Sequence, residues 1–141
     1  MILNPFGKIV AEEWIKTPVV RPTIELSEYV IMPNHIHGII IIRSDNTVGA
    51  TRRVAPTTTR RVARPQTIPN GPTSGSIGAI IGQIKSLTTK RINAIRDTPG
   101  ISVWQRNYYE HIIRSETELN RICAYITANP INWEKDRENQ A

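Results

Sequence analysis

One cysteine, Cys123, is all the thiol chemistry this chain carries, which excludes an intramolecular disulfide and any cysteine-cluster zinc site. As a small apolar residue it is expected in the core. Long apolar runs are missing as well. No stretch approaches the ~18 apolar residues needed to span a bilayer, and Glu12, Glu13 and Trp14 fall where a signal peptide would need an apolar segment. The expectation is a cytoplasmic protein with no membrane partner. A third shortage is local. Residues 44–75 have almost no large apolar side chain and are rich in Pro, Thr, Gly and Ser, too little to offset the entropy of ordering them, so they read as a disordered loop inserted in one domain spanning residues 1–141. Inside the loop, residues 51–56 are echoed by residues 59–65, too short a period for a solenoid. The loop also holds most of the charge: five arginines against Asp45 alone make +4 of the total +6, leaving only +2 for everything else. Its paired arginines fit loose phosphate attraction or simple solubility equally well.

What remains is patterned. Asn4 and Pro5 supply an N-cap and a first helical residue, after which Phe6, Ile9, Val10 and Trp14 recur at helical spacing until Pro18. Two β-rich runs follow, 23–32 and 35–43, and the turn pair Pro33-Asn34 between them makes an antiparallel hairpin. Beyond the loop, Ser76 caps a helix whose face is Ile77, Ile80, Ile81, Ile84, Leu87 and Ile95, ended by Pro99-Gly100. Residues 103–113 read as a third strand interrupted by Gln105, Arg106 and Asn107. Ser115 and Glu118 form a capping box for a last helix with the apolar stripe Leu119, Ile122, Cys123 and Ile126. The class is α+β. A strand ahead of the first helix would complete a ferredoxin-like βαββαβ pattern, an antiparallel sheet with helices on one face and the last helix added.

Two constellations carry chemistry. On a strand, side chains alternate faces, so His35 and His37 project together, close enough to share a divalent ion. A third histidine two residues on would point to a nucleotide hydrolase; Ile39 stands there instead. On the last helix Tyr125 and Asn129 lie one turn apart at the border of the apolar stripe, where side chains can face a cleft. A phenol that attacks a phosphodiester, opposite an ion held by two imidazoles and an amide oxygen, describes phosphoryl transfer. Tyr108 and Tyr109 are rival nucleophiles, although their surroundings suit packing or stacking on a base.

His35-Ile36-His37 preceded by Met32-Pro33-Asn34, then residues 103–114 from Val103-Trp104-Gln105 onward, then Tyr125-Ile126-Thr127-Ala128-Asn129-Pro130, closely resemble the REP-associated branch of the single-tyrosine HUH transposases. The resemblance implies a ferredoxin-like domain of a mobile element that binds hairpin-forming single-stranded DNA, then nicks and rejoins it through a 5′-phosphotyrosine with magnesium or manganese. It makes His35, His37 and Asn129 the metal ligands and Tyr125 the nucleophile. Lys85, Arg91, Arg106, Tyr108 and Arg114 are the expected DNA contacts, and a homodimer is implied. Relatives carry a strand ahead of the first helix, so the resemblance also implies a truncated domain with its first strand missing. The alternatives to an active transposase are an inactive DNA-binding remnant and a replication-type nickase that shares the His-x-His chemistry.

Overall fold

The computed structural model describes residues 2–43 and 75–135. The expected arginine-rich loop and its internal repeat therefore lie outside the described residues. The chain is α+β: helix α1 (Pro5–Val20), strands β1 (Ile24–Ile31) and β2 (Ile36–Ile42), helix α2 (Ile77–Arg96), helix α3 (Glu116–Asn132) and a short 3-10 turn, Trp133–Lys135.

The helices begin where side-chain chemistry says they should. Asn4 Oδ1 accepts from the Gly7 amide, Ser76 Oγ from the Ala79 amide and Ser115 Oγ from the Glu118 amide, each satisfying one of the amide donors a helix start leaves orphaned. The return half of the box at Ser115 differs from expectation, because the Glu118 carboxylate reaches back to the amide of Arg114 and not to that of Ser115. Pro18 does not end α1. The Arg21 amide donates to the Thr17 carbonyl at 2.9 Å, so the helical hydrogen bonding resumes after the proline and carries the helix to Val20.

β1 and β2 pair antiparallel, Ile24 opposite Ile42 and Ile31 opposite Ile36, with an irregularity between Leu26 and Tyr29. The Met32 amide donates to the His35 carbonyl at 2.8 Å, which closes the turn through Pro33 and Asn34. One sheet face carries the core: Trp14 of α1, Ile24 of β1, and Ile80 and Ile84 of α2 are buried together, flanked by Leu26, Tyr29, Ile36 and Ile40. Gly38 lies on that face because Trp14 fills the space a side chain would need. The added helix α3 lies on the other face, where its rings meet His35 and His37. Cys123 is half-buried on it.

Two expectations are corrected. Among the described residues the sheet has two strands, and residues 103–113 run without strand pairing. Their β-rich composition has no neighbouring ladder to join, and Asn107, in the left-handed region at φ 64°, breaks the extended run. The segment is instead tied to α2, with Lys85 Nζ donating to the carbonyls of Gln105 and Asn107 and the Trp104 indole donating to Thr88. The buried line of α2 also differs. It runs Ile80, Ile84, Thr88 and Ile92, while Leu87 and Ile95 are exposed. Thr88 can be fully buried because its hydroxyl donates to the Ile84 carbonyl and accepts from Trp104, so no polar group is left bare.

Candidate metal and tyrosine centre

Immediately after the hairpin turn, His35 and His37 turn their rings together, with Nε2 of one 3.0 Å from Nε2 of the other. Alternation along the strand is the cause, since one intervening residue, Ile36, points into the core on the opposite face. The other nitrogen of His35, Nδ1, lies 2.6 Å from Asn34 Oδ1. With that oxygen accepting, Nδ1 carries the proton and Nε2 presents its lone pair, the tautomer a metal ligand needs.

The donor set can be tested against a hard divalent ion. Two bonds of roughly 2.1 Å at a right angle, as at neighbouring octahedral positions, put their donor atoms about 3.0 Å apart. The Nε2 separation has that value. At this distance the two nitrogens either share a hydrogen bond or stand where a cation between them would accept both lone pairs. Among the described residues no group of three His, Cys, Asp or Glu side chains could hold an ion, and an amide oxygen is another donor type such an ion accepts.

Helix α3 supplies the amide. Tyr125, Asn129 and Trp133 follow one another at four-residue spacing and so share one side of the helix and its continuing 3-10 turn. The first ring packs edge-on against His37, with centroids 5.5 Å apart, and the last lies 5.9 Å from His35. Asn129 stands between them, 4% exposed, and its Nδ2 has no hydrogen-bond partner among the described residues. A buried amide left unsatisfied costs about 1–3 kcal/mol. Turning the amide exchanges its nitrogen and oxygen and presents an acceptor in the same place, the form in which an asparagine binds a cation. Imidazole nitrogens and an amide oxygen are donor types that a hard or borderline divalent ion accepts.

Tyr125 is 55% exposed, so its ring is anchored on His37 while part of the side chain remains accessible from outside. Tyr108 and Tyr109 stand in the irregular segment, exposed, with Tyr109 at 89%. Trp133 is absent from the sequence-predicted site because the apolar stripe that marks this helix stops at Ile126. In the structure Pro130 lies inside α3. Extending the four-residue spacing past it would have found the tryptophan.

The expected DNA contacts are distributed differently. Arg91 bridges Glu12 and Glu13 of α1 at 2.6 Å each, and Lys85 holds the carbonyls of residues 105 and 107, so both cations are engaged within the fold. The Arg91 guanidinium holds the Glu12 carboxyl below its ordinary range. Arg106 and Arg114 are exposed, as is Tyr108.

The carboxylate of Glu118 accepts from His111 at 2.7 Å and from the Arg114 amide at 3.1 Å, which lowers its pKa from the usual value, the His111 bond being the larger cause. A group lowered on folding contributes stability above its unfolded pKa, and that contribution disappears as pH falls through the lowered folded value. The tie between α3 and residues 111–114 is therefore expected to hold above about pH 4.3, the ordinary glutamate value, and to release in stronger acid. The Arg114 amide resonance should shift with an acid midpoint below that value and lose this titration in Glu118→Gln. A midpoint at or above the ordinary value would count against the tie.

Over 137 residues, 97% of this chain and 71% of the relative, the sequence is 41% identical to an uncharacterized protein of Haemophilus influenzae. No family model and no solved structure matches the chain.

Proposed function

We propose, for a chain that belongs to one family with that Haemophilus influenzae protein, a metal-dependent DNA strand transferase of the single-tyrosine HUH transposase type, with Tyr125 as nucleophile and His35, His37 and Asn129 as metal ligands. The observation that carries this reading is the meeting of a His-x-His pair with an accessible tyrosine, His37 and Tyr125 standing 88 residues apart in sequence. Magnesium or manganese held there would withdraw charge from a phosphodiester and favour departure of its 3′ oxygen.

The chain's own groups do the rest. Asn34 fixes the ring of His35, and Ile36, partly buried against the core residues, anchors the strand between the two imidazoles. The phenol oxygen of Tyr125 forms a bond to phosphorus as it gives up its proton. The bond from phosphorus to the 3′ oxygen breaks, and that oxygen leaves as a 3′-hydroxyl after taking up a proton. A second 3′-hydroxyl attacking the 5′-phosphotyrosine reverses the step and joins two strands, so no external energy source is needed. His37, against the edge of the Tyr125 ring, limits where the phenol can swing.

In this reading the substrate is single-stranded or hairpin DNA. Among the described residues β2 pairs only with β1, so its other edge is open to a further strand, and a second copy of the chain is the partner proposed for it. No described helix is long and apolar enough to cross a membrane.

The test is nicking of a labelled hairpin oligonucleotide in manganese or magnesium. Wild-type protein should give an upstream fragment ending in a free 3′-hydroxyl and a downstream fragment linked to the protein through its 5′ phosphate, and chelation should stop both. His35→Ala and His37→Ala should each weaken manganese binding by about 10–100-fold, measured by titration calorimetry, and reduce nicking in parallel. Cleavage that persists in chelator, or manganese affinity unchanged in both variants, would sink the proposal.

A further inference from the structure

A groove of about 820 Å³ lies between α2 and residues 97–107. It is built independently of the histidine pair. Its floor is the side of α2 that carries Lys85, Lys90 and Asn93, and its wall is the irregular segment with Trp104, Arg106 and Asn107. The wall is tied down at three places. Asn93 Nδ2 donates to the Ile101 carbonyl at 2.7 Å, Trp104 Nε1 to Thr88 at 2.8 Å, and Lys85 Nζ to the carbonyls of residues 105 and 107 at 2.9 and 2.6 Å. A loop held by side chains of the facing helix is a preformed surface, which lowers the ordering cost of binding.

Its chemistry is that of an anion with a planar, apolar part. Among the lining residues Asp97 is the one acid against Lys85, Lys90 and Arg106. Lys85 is occupied in the wall, whereas Lys90 and Arg106 are exposed. The indole of Trp104 is fixed through its N–H to Thr88 and lines the groove. Aromatic rings with cations around them are how unpaired nucleotides are held, the base stacked and the phosphate neutralised.

We infer that this groove binds an unpaired stretch of single-stranded nucleic acid, with a base against Trp104 and its phosphates on Lys90 and Arg106. The inference rests on the strand-transfer reading only for the choice of a strand over a free nucleotide; the groove and its charge stand apart from that reading.

The test is binding of a fluorescent oligothymidylate of about ten nucleotides, within the usual site size of such grooves, to the full chain. Anisotropy gives affinity and tryptophan emission reports the stack. Wild-type protein and Tyr125→Phe should bind alike, with emission quenched. The doubly reversed variant, Lys90→Glu with Arg106→Glu, should bind at least tenfold more weakly, and the slope of log affinity against log salt should fall by about 0.7 for each phosphate that is no longer neutralised. The single variants Lys90→Ala and Arg106→Ala, at exposed positions, should each show part of that effect and keep the wild-type melting temperature. An unchanged affinity and salt slope in the double variant would overturn the inference. Saturation by thymidine monophosphate at the same nucleotide concentration would also overturn it and make this a free-nucleotide pocket, and competition by self-association would assign the groove to a second copy. Absence of nicking alongside intact, charge-dependent quenching would reject the strand-transfer reading and leave the groove standing.

Discussion

Tyr125→Phe is expected to abolish the covalent protein–DNA adduct while hairpin binding stays within about twofold of wild type. The substitution removes one oxygen from a half-exposed ring and keeps the edge-on packing of that ring against His37. Nothing else in the fold should change. Loss of a nucleophile removes its covalent route altogether, so strand cleavage should fall by ~10³-fold or more. Tyr108→Phe and Tyr109→Phe provide the internal comparison, because both tyrosines are exposed in the segment that α2 holds. Denaturing gel electrophoresis of a labelled substrate reads all three variants at once. An adduct that survives in Tyr125→Phe and disappears in either of the others would move the chemistry to that segment and detach it from the histidines.

The second large effect concerns Gly38, the neighbour of His37. A methyl group added there would lie 2.3 Å from Cζ2 of Trp14 and 2.6 Å from its Cη2. Real contacts of that length do not exist, so either the strand or the indole must move. The indole is 3% exposed and enclosed by Ile24, Ile80 and Ile84, so neither side has room to give. Overpacking of this kind costs about 1–3 kcal/mol and sometimes more. Gly38→Ala should therefore lower the melting temperature by roughly 5–10 °C, the size of shift such an energy produces in a small domain. Any displacement of β2 also carries His37 with it, so manganese affinity should fall together with stability. Trp14→Phe removes the clashing ring atoms at its own cost in packing. The two substitutions combined should then cost less than the sum of the singles, as expected for residues in contact. A Gly38→Ala protein as stable as wild type would mean that the indole has another seat.

The elements that sequence reasoning located are those whose hydrogen bonds close over a few residues. Asn4, Ser76 and Ser115 each cap an amide three positions away, so the helix starts were legible. The hairpin was legible for the same reason, since one short turn through Pro33 and Asn34 fixes both strands. His35 and His37 were found because strand alternation places residues two apart on one face, whatever surrounds them. The facing of Tyr125 and Asn129 followed from helical spacing in the same way.

What the tertiary structure decided depends on partners far along the chain. Residues 103–113 have the composition of a strand, but a strand exists only as a member of a ladder. With no neighbour among the described residues, the backbone turns at Asn107 and is held by Lys85, 20 residues or more away. Lys85 and Arg91 read as cations on a helix when only their charge is considered; the tertiary structure gives them partners, the carbonyls of residues 105 and 107 and the carboxylates of Glu12 and Glu13. Thr88 displaced Leu87 from the buried line of α2 because Trp104 arrives with an N–H to satisfy it. Trp133 faces His35 only because Pro130 is accommodated inside α3 and that helix crosses the sheet on the side away from the core. Short-range periodicity fixes which side chains share a face, and long-range packing alone determines which faces meet, because that choice is made by the burial and pairing of groups no local window contains.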